Sequence, residues 1–150
     1  MDYRLVTELA EETWEAIASI LKSYNRDRNP SFYTARDLPE NAPKALHVVA
    51  FDADGAVVGG LTGETQFAWL KVSIVAVAEH VRGLGIGRRL MELAEQEAVA
   101  RGCRHVFLDT MDYQAPAFYQ KLGYTVAAKL DDWDSHGHAR YYFTKELGQR

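Results

Sequence analysis

An α/β (α+β) domain, with a central mixed twisted sheet flanked by helices, is what this sequence predicts, and three observations carry the expectation. Asp54-Gly55 separates two β-branched runs, "LHVVAF" and "AVVGGLTG", and supplies the positive-φ turn that lets such runs pair antiparallel. The run from Phe67 to Val77 is long and β-branched, as a central strand is. After it, Leu90, Leu93, Ala94 and Ala98 form an apolar stripe within a helix from Gly85 to Arg101, and Gly102 sits where a C-cap glycine belongs. Hairpins and strand-helix-strand units in one chain make a mixed sheet.

The remaining elements follow in order. "YRLV" near the start reads as a short strand. From Glu11 to Tyr24, Trp14, Ile17, Leu21 and Tyr24 stand at helical spacing. "NRDRNPSFYTARDLPENAP" is polar and interrupted by proline, with room for one short helix around Thr34 to Leu38. Beyond the long helix come a strand in "RHVFLDT", a short helix in "APAFYQKL", a turn at Gly123, a strand in "YTVAAKL", an acidic loop "DDWDSHGH" and a final strand in "ARYYFTKEL". No repeat or linker divides the chain, and 150 residues suit one domain, so residues 1–150 are expected to form a single domain.

Composition excludes several classes. A net charge of −4 argues against a broad basic face for nucleic acid. The acidic start "MDYRLVTELAEETWE" lacks the basic and apolar regions of a secretory signal. The most apolar strand, around "SIVAVAEH", is far shorter than the ~20 residues of a spanning helix. Cys103 is the only cysteine, which rules out a disulfide within the chain, fits a reducing compartment and reads as an inert core thiol. A cytoplasmic protein with neither a nucleic acid nor a membrane as partner is expected; monomer and homodimer both stay open.

Three glycines alternate in "VRGLGIGRRL", residues 81–90, at the predicted start of the long helix. Bare backbone there exposes several N–H groups at the positive end of the helix dipole, which favours an anion and above all a phosphate. Arg82, Arg88 and Arg89 add charge. A dinucleotide fingerprint would need a glycine where Arg88 stands, and no run fits a P-loop.

"VAEHVRGLGIGRRLM" resembles the acyl-CoA-binding motif of the GNAT superfamily of N-acyltransferases, through Arg82, Gly85 and Gly87. "QAPAFYQKLGYTV", residues 114–126, resembles the same family's later motif, in which a short helix carries a tyrosine ahead of a Leu-Gly-Tyr turn. The element order resembles the family's fold as well. The resemblance implies acetyl-CoA as co-substrate, without a metal, its pyrophosphate held by Arg82, Gly83, Leu84, Gly85, Ile86, Gly87 and Arg88. It also implies that Val75 and Val77 offer main-chain hydrogen bonds to the pantetheine arm where the sheet is splayed. A bulge or splay there leaves unpaired backbone groups that a peptide-like arm satisfies.

By the same resemblance, Tyr119 is the general acid that protonates the leaving thiolate, and the acceptor is a small amine. The base is open. Some members of the family carry a base on the central strand, but the inward positions here are expected to be Lys71 and Ser73, so Asp109, Glu64 and Glu79 are the candidates, with Asp109 first because it ends a buried strand. "DDWD" is either a lip that draws a cationic amine or an ordinary polar turn. His136 and His138 have an H-x-H spacing without further ligands and read as a solvated loop. Phe67 and Trp69 line the acceptor site or, as is usual for aromatic residues on a central strand, lie in the core. A protein-amine acetyltransferase and a catalytically silent acyl-CoA-binding module are the alternatives to a small-amine acetyltransferase.

Overall fold

Gly55 takes a φ of 84°, and Asp52 closes the turn around it, its Oδ1 accepting from the N–H groups of Asp54 and Ala56 at 3.0 and 2.8 Å. This turn joins β1 (Lys44–Phe51) to β2 (Val57–Gln66) in the computed structural model, which describes residues 1–148. With β3 (Trp69–Val77), β4 (His105–Met111), β5 (Thr125–Leu130) and β6 (Arg140–Glu146), they form a six-stranded sheet in the order β1-β2-β3-β4-β6-β5. Only β3 and β4 run parallel, and the helix between them, α3 (Ile86–Ala100), is the crossover such a pair requires.

The chain divides into two compact units, Met1–Ala42 and the part from Pro43 onward. In the first, α1 (Glu11–Arg28) ends at Asn29, whose side chain then caps α2 (Pro30–Arg36) by accepting from the Phe32 N–H at 3.4 Å. An Arg26–Asp37 ion pair at 2.9 Å ties the two helices. The second helix therefore starts earlier than the Thr34 expected from the sequence, because Pro30 occupies the first helical position, where its missing N–H costs nothing. "YRLV" forms no strand: a short extended run needs a ladder partner, and it has none among the described residues. No helix among the described residues is long and apolar enough to cross a membrane.

In the second unit, Leu90, Met91, Ala94 and Ala98 of α3 are buried in one core with Leu46, Leu61, Leu70, Val72, Val106, Leu108 and Phe143. Each large apolar side chain so buried contributes roughly 1.5–3 kcal/mol. Met91 takes the place expected of Leu93, which is half exposed. Cys103 joins this core, and burial pushes its thiol up from the ordinary range against a smaller downward pull from Arg101. Phe67 and Trp69 are outside it, 40% and 45% exposed. The core reading of both is corrected: Trp69 alternates with buried Leu70, and Phe67 lies in the β2–β3 turn at a φ of 50°.

Two irregularities shape β3. Against β2, Val72 pairs with Gly63 and Ile74 with Thr62, so Ser73 is an extra, bulged residue. A Cβ on Gly63 would stand 2.5 Å from the Lys71 carbonyl oxygen, so only glycine fits opposite the bulge. The extra residue resets the alternation, and Val75 and Val77 pack against the same core as Val72. Against β4, pairing lasts only from Trp69 to Lys71, opposite His105 to Phe107. The strands then part.

Gly63→Val should therefore cost about 1–3 kcal/mol in denaturant unfolding, because the new side chain meets backbone and not a yielding side chain. Gly60→Ala, whose Cβ meets the Val48 carbonyl at an acceptable 3.4 Å, should lose clearly less.

Candidate active site

The three alternating glycines have two different functions. Gly83 and Gly85 adopt φ of 81° and 79°, and a Cβ on either would meet nothing within 4 Å. They turn the chain into α3 and leave open space before its N-terminus. Gly87 is helical, and a Cβ there would lie 3.3 Å from the Phe118 ring, so it admits close packing of the helix start on α4 (Pro116–Lys121). The first helical bond of α3 runs from the Arg89 N–H to the Gly85 carbonyl at 3.1 Å. Among the described residues, the N–H groups of residues 83–88 have no backbone acceptor, and with the helix dipole they make a geometry that suits an anion.

Arg82, which the motif implied as part of the same site, has partners within the loop. Its N–H donates to the Glu79 carbonyl at 3.1 Å and its Nε to the Val77 carbonyl at 3.2 Å, so it braces the loop. The Arg88 N–H is one of the set without a backbone acceptor, while its side chain pairs with Glu92 at 2.7 Å along the helix.

The parted strands present their backbone to the gap. The Ala78 N–H donates to the Val58 carbonyl at 2.8 Å, which makes Val77–Gly59 a non-hydrogen-bonded pair of the antiparallel ladder, and by alternation Val75–Leu61 as well. The N–H and C=O groups of Val75 and Val77 therefore point away from β2, toward the side that β4 has left. The same argument holds on the other bank. The Asp112 N–H donates to the Ala139 carbonyl at 2.9 Å, so Met111–Arg140 and Asp109–Tyr142 are non-hydrogen-bonded pairs and the Asp109 backbone faces the gap.

Tyr119, on α4, is 7% exposed, with its ring against Phe118, Tyr124 and Phe143 at centroid distances of 5.1, 5.9 and 5.9 Å. Its hydroxyl makes no hydrogen bond among the described residues. Burial, and after it the negative charge of Asp109, hold the phenol above its ordinary range, so it keeps its proton. Beneath it, the Tyr124 hydroxyl donates to Glu95 Oε1 at 2.7 Å and Lys145 Nζ to Glu95 Oε2 at 2.8 Å. Burial and Glu95 hold the Tyr124 phenol well above the ordinary range too.

The candidate bases are dispersed. Asp109 Oδ1 accepts from Arg140 Nε and Nη2 at 2.9 and 2.7 Å, so this carboxylate is already neutralised by a guanidinium. Glu64 lies on β2 opposite Lys71, at the closed end of the gap. Glu79 begins the 3-10 turn after β3. Lys71 and Ser73 are exposed. The "DDWD" loop folds on itself: Asp132 Oδ1 accepts from the Gly137 N–H, and Trp133 stacks over Arg140 at 5.0 Å.

Sequence reasoning missed the partner of His138, whose Nδ1 lies 2.9 Å from Asp112 Oδ1. No local signal could have found it, because the two residues are 26 apart and meet only through the β4–β6 register. It also missed Arg140 on Asp109, and the Glu95–Lys145 pair under Tyr124.

A sheet parted beside a central bulge, with a bare helix start at its mouth, belongs with the acyl-transferring enzymes, and the chain as a whole agrees. Residues 6–124 match the acetyltransferase (GNAT) family. The protein belongs to that family and is an acyltransferase. It is 37% identical over 131 residues to a blasticidin-S acetyltransferase of Streptomyces morookaense, covering 85% of this chain and 96% of that one. It is 33% identical to an acetyltransferase of Agrobacterium fabrum, over 87% and 88% of the two chains. Among solved structures, an acetyltransferase from Bacillus cereus superposes with a TM-score of 0.74 at 28% identity, covering 96% of this chain and 98% of its own.

The raised Tyr119 phenol has a direct readout. In a difference titration of tyrosinate absorbance, the transition present in the wild type and missing in Tyr119→Phe should lie above the ordinary value of about 10. A transition at or below that value would show that the ring is not held as described.

Proposed function

We propose that the protein transfers an acetyl group from acetyl-CoA to a primary amine of a small molecule, by direct attack through a tetrahedral intermediate, with residues 1–150 acting as one catalytic domain. The observation that carries this reading is the gap between β3 and β4, faced by the backbone of Val75 and Val77 on one bank and of Asp109 on the other, with the N–H groups of residues 83–88 at its mouth. A pantetheine arm fits the gap as an added strand would, exchanging hydrogen bonds with Val75 and Val77. The cradle of residues 83–88 suits its pyrophosphate, because the space over Gly83 and Gly85 is one that any Cβ would enter. Acetyl-CoA supplies the activated thioester.

The chain's own groups then do the rest. An N–H at Val75 polarises the thioester carbonyl and steadies the oxyanion. The Tyr119 hydroxyl, protonated and without another partner, serves the departing thiolate. Asp109, with its carboxylate on Arg140 and its backbone in the gap, is an acceptor contact more than a base. The relative named for blasticidin S, matched over almost its whole length, supports a small-molecule acceptor over a protein one.

Two variants test donor and acid separately. CoA should raise the melting temperature of the wild type in proportion to its affinity, and Gly85→Ala should lose that rise while melting only modestly lower by itself, since a non-glycine residue at positive φ costs roughly 1–2 kcal/mol. Tyr119→Phe should keep the CoA shift yet lower kcat by about 10²–10⁴ in a thiol-release assay with acetyl-CoA and a panel of primary amines. An intact CoA shift in Gly85→Ala would remove the cradle assignment. A kcat loss under roughly threefold would remove the acid role.

A further inference from the structure

An alkyl amine acceptor reaches the enzyme mostly protonated, since its pKa is about 10, and must give up a proton before it can attack. The residues considered so far leave that proton without a destination. Beyond the end of β4, the structure holds a pair that no part of the mechanism above uses. Asp112 follows the last residue of the strand and stands three residues past Asp109, roughly 10 Å along the chain at ~3.3 Å per residue. This places it just past the C-terminal end of β4, the strand that forms one bank of the gap, with its own backbone bonded to Ala139 on the β6 side.

Asp112 is held from both sides. Its Oδ2 accepts from the Ala139 N–H at 2.8 Å, its own N–H donates to the Ala139 carbonyl at 2.9 Å, and its Oδ1 takes His138 Nδ1 at 2.9 Å. The Ala139 N–H first, and the His138 ring after it, keep this carboxyl below the usual range, so it is ionised at every working pH. An ionised carboxylate only accepts, so Nδ1 carries the hydrogen, and in the neutral ring Nε2 has the lone pair. Nε2 has no partner among the described residues, and the His138 side chain is 47% exposed. The ring is also fixed by its neighbours: Asp134 Oδ1 accepts from the His136 and His138 N–H groups at 2.9 and 3.1 Å, and Tyr113 meets the imidazole edge-on at 4.9 Å. His136 differs, its Nδ1 being turned onto the Asp134 carbonyl at 2.8 Å.

We propose that His138 Nε2 takes the proton from the acceptor amine, directly or through one water, and that Asp112 is the positioning residue that fixes its ring and tautomer. This rests on the acetyl-transfer reading above. The charged groups around the ring are Asp112 at the end of β4 and Asp134 in its own loop. Lys129 of β5 is paired with Asp131, and Arg140 of β6 with Asp109. The protons balance. The ammonium gives one to Nε2, which later releases it to water. The nitrogen sheds a second as the C–N bond forms and the C–S bond breaks, and this one replaces the proton that Tyr119 gives to the thiolate.

The test compares pH profiles of kcat/KM for the wild type, His138→Gln, Asp112→Asn and the double variant, with acetyl-CoA and either blasticidin S or spermidine as acceptor. Glutamine can still donate to Asp112 but offers no titratable lone pair. His138→Gln should lose about 10²-fold or more at neutral pH, and the loss should shrink as the pH approaches that of the free amine, because water then removes the proton. The double variant should fall no further than His138→Gln, since residues acting as one unit are not additive. A loss under threefold, or one equal at every pH, overturns the proposal. The CoA melting shift should be the same in all four proteins, and a wild type that shows this shift but releases no thiol with either amine overturns the acetyl-transfer reading as well.

Discussion

The bulge at Ser73, admitted by the bare Cα of Gly63, is the constraint on which the site depends. Without it, β3 would keep one alternation along its length, and the residues after it would present the opposite side to the core. With it, the first half of the strand is an ordinary member of the sheet, holding β4 by the pairing at Trp69 to Lys71. The second half keeps Val75 and Val77 packed on the core while their peptide groups face outward into the gap. One inserted residue thus lets one strand pack on the core along its whole length and still turn peptide groups to the gap.

The groups beside the gap are held by polar ties between elements distant in sequence. Glu95 of α3 receives both the Tyr124 hydroxyl and Lys145 of β6, and the Tyr124 N–H donates back to the Tyr119 carbonyl at 3.1 Å. Lys145 and Glu95 are 25% and 15% exposed, so neither charge could lose its partner cheaply. The Tyr119 ring is therefore held by packing, against Phe118, Phe143 and a Tyr124 ring that Glu95 fixes by a hydrogen bond. That combination leaves its hydroxyl uncommitted without leaving its ring loose.

Local signals made most of the fold legible. The Asp54-Gly55 turn, the helix ending at Gly102 and the β-branched strand runs each depend on residues within one element, and each is present. The signals misled where they were read without a partner: "YRLV" has strand-like residues but no ladder, and Pro30 was read as a breaker where Asn29 makes it a helix start. The glycine loop was legible as a bare turn into the long helix. That Arg82 braces it, and that Gly87 yields to Phe118, follow from tertiary contacts that spacing does not encode. The pairs Asp109–Arg140 and Asp112–His138 were illegible for the same reason, since both exist only because β4 and β6 run side by side.

The seam between β3 and β4 is three residue pairs long, whereas β4 and β6 are joined along their full length by seven. Mechanically, the sheet is two ribbons, β1-β2-β3 and β4-β6-β5, hinged at one end. A molecule that fills the opening and bonds to both banks acts as a keystone, adding hydrogen bonds where the ladder has none.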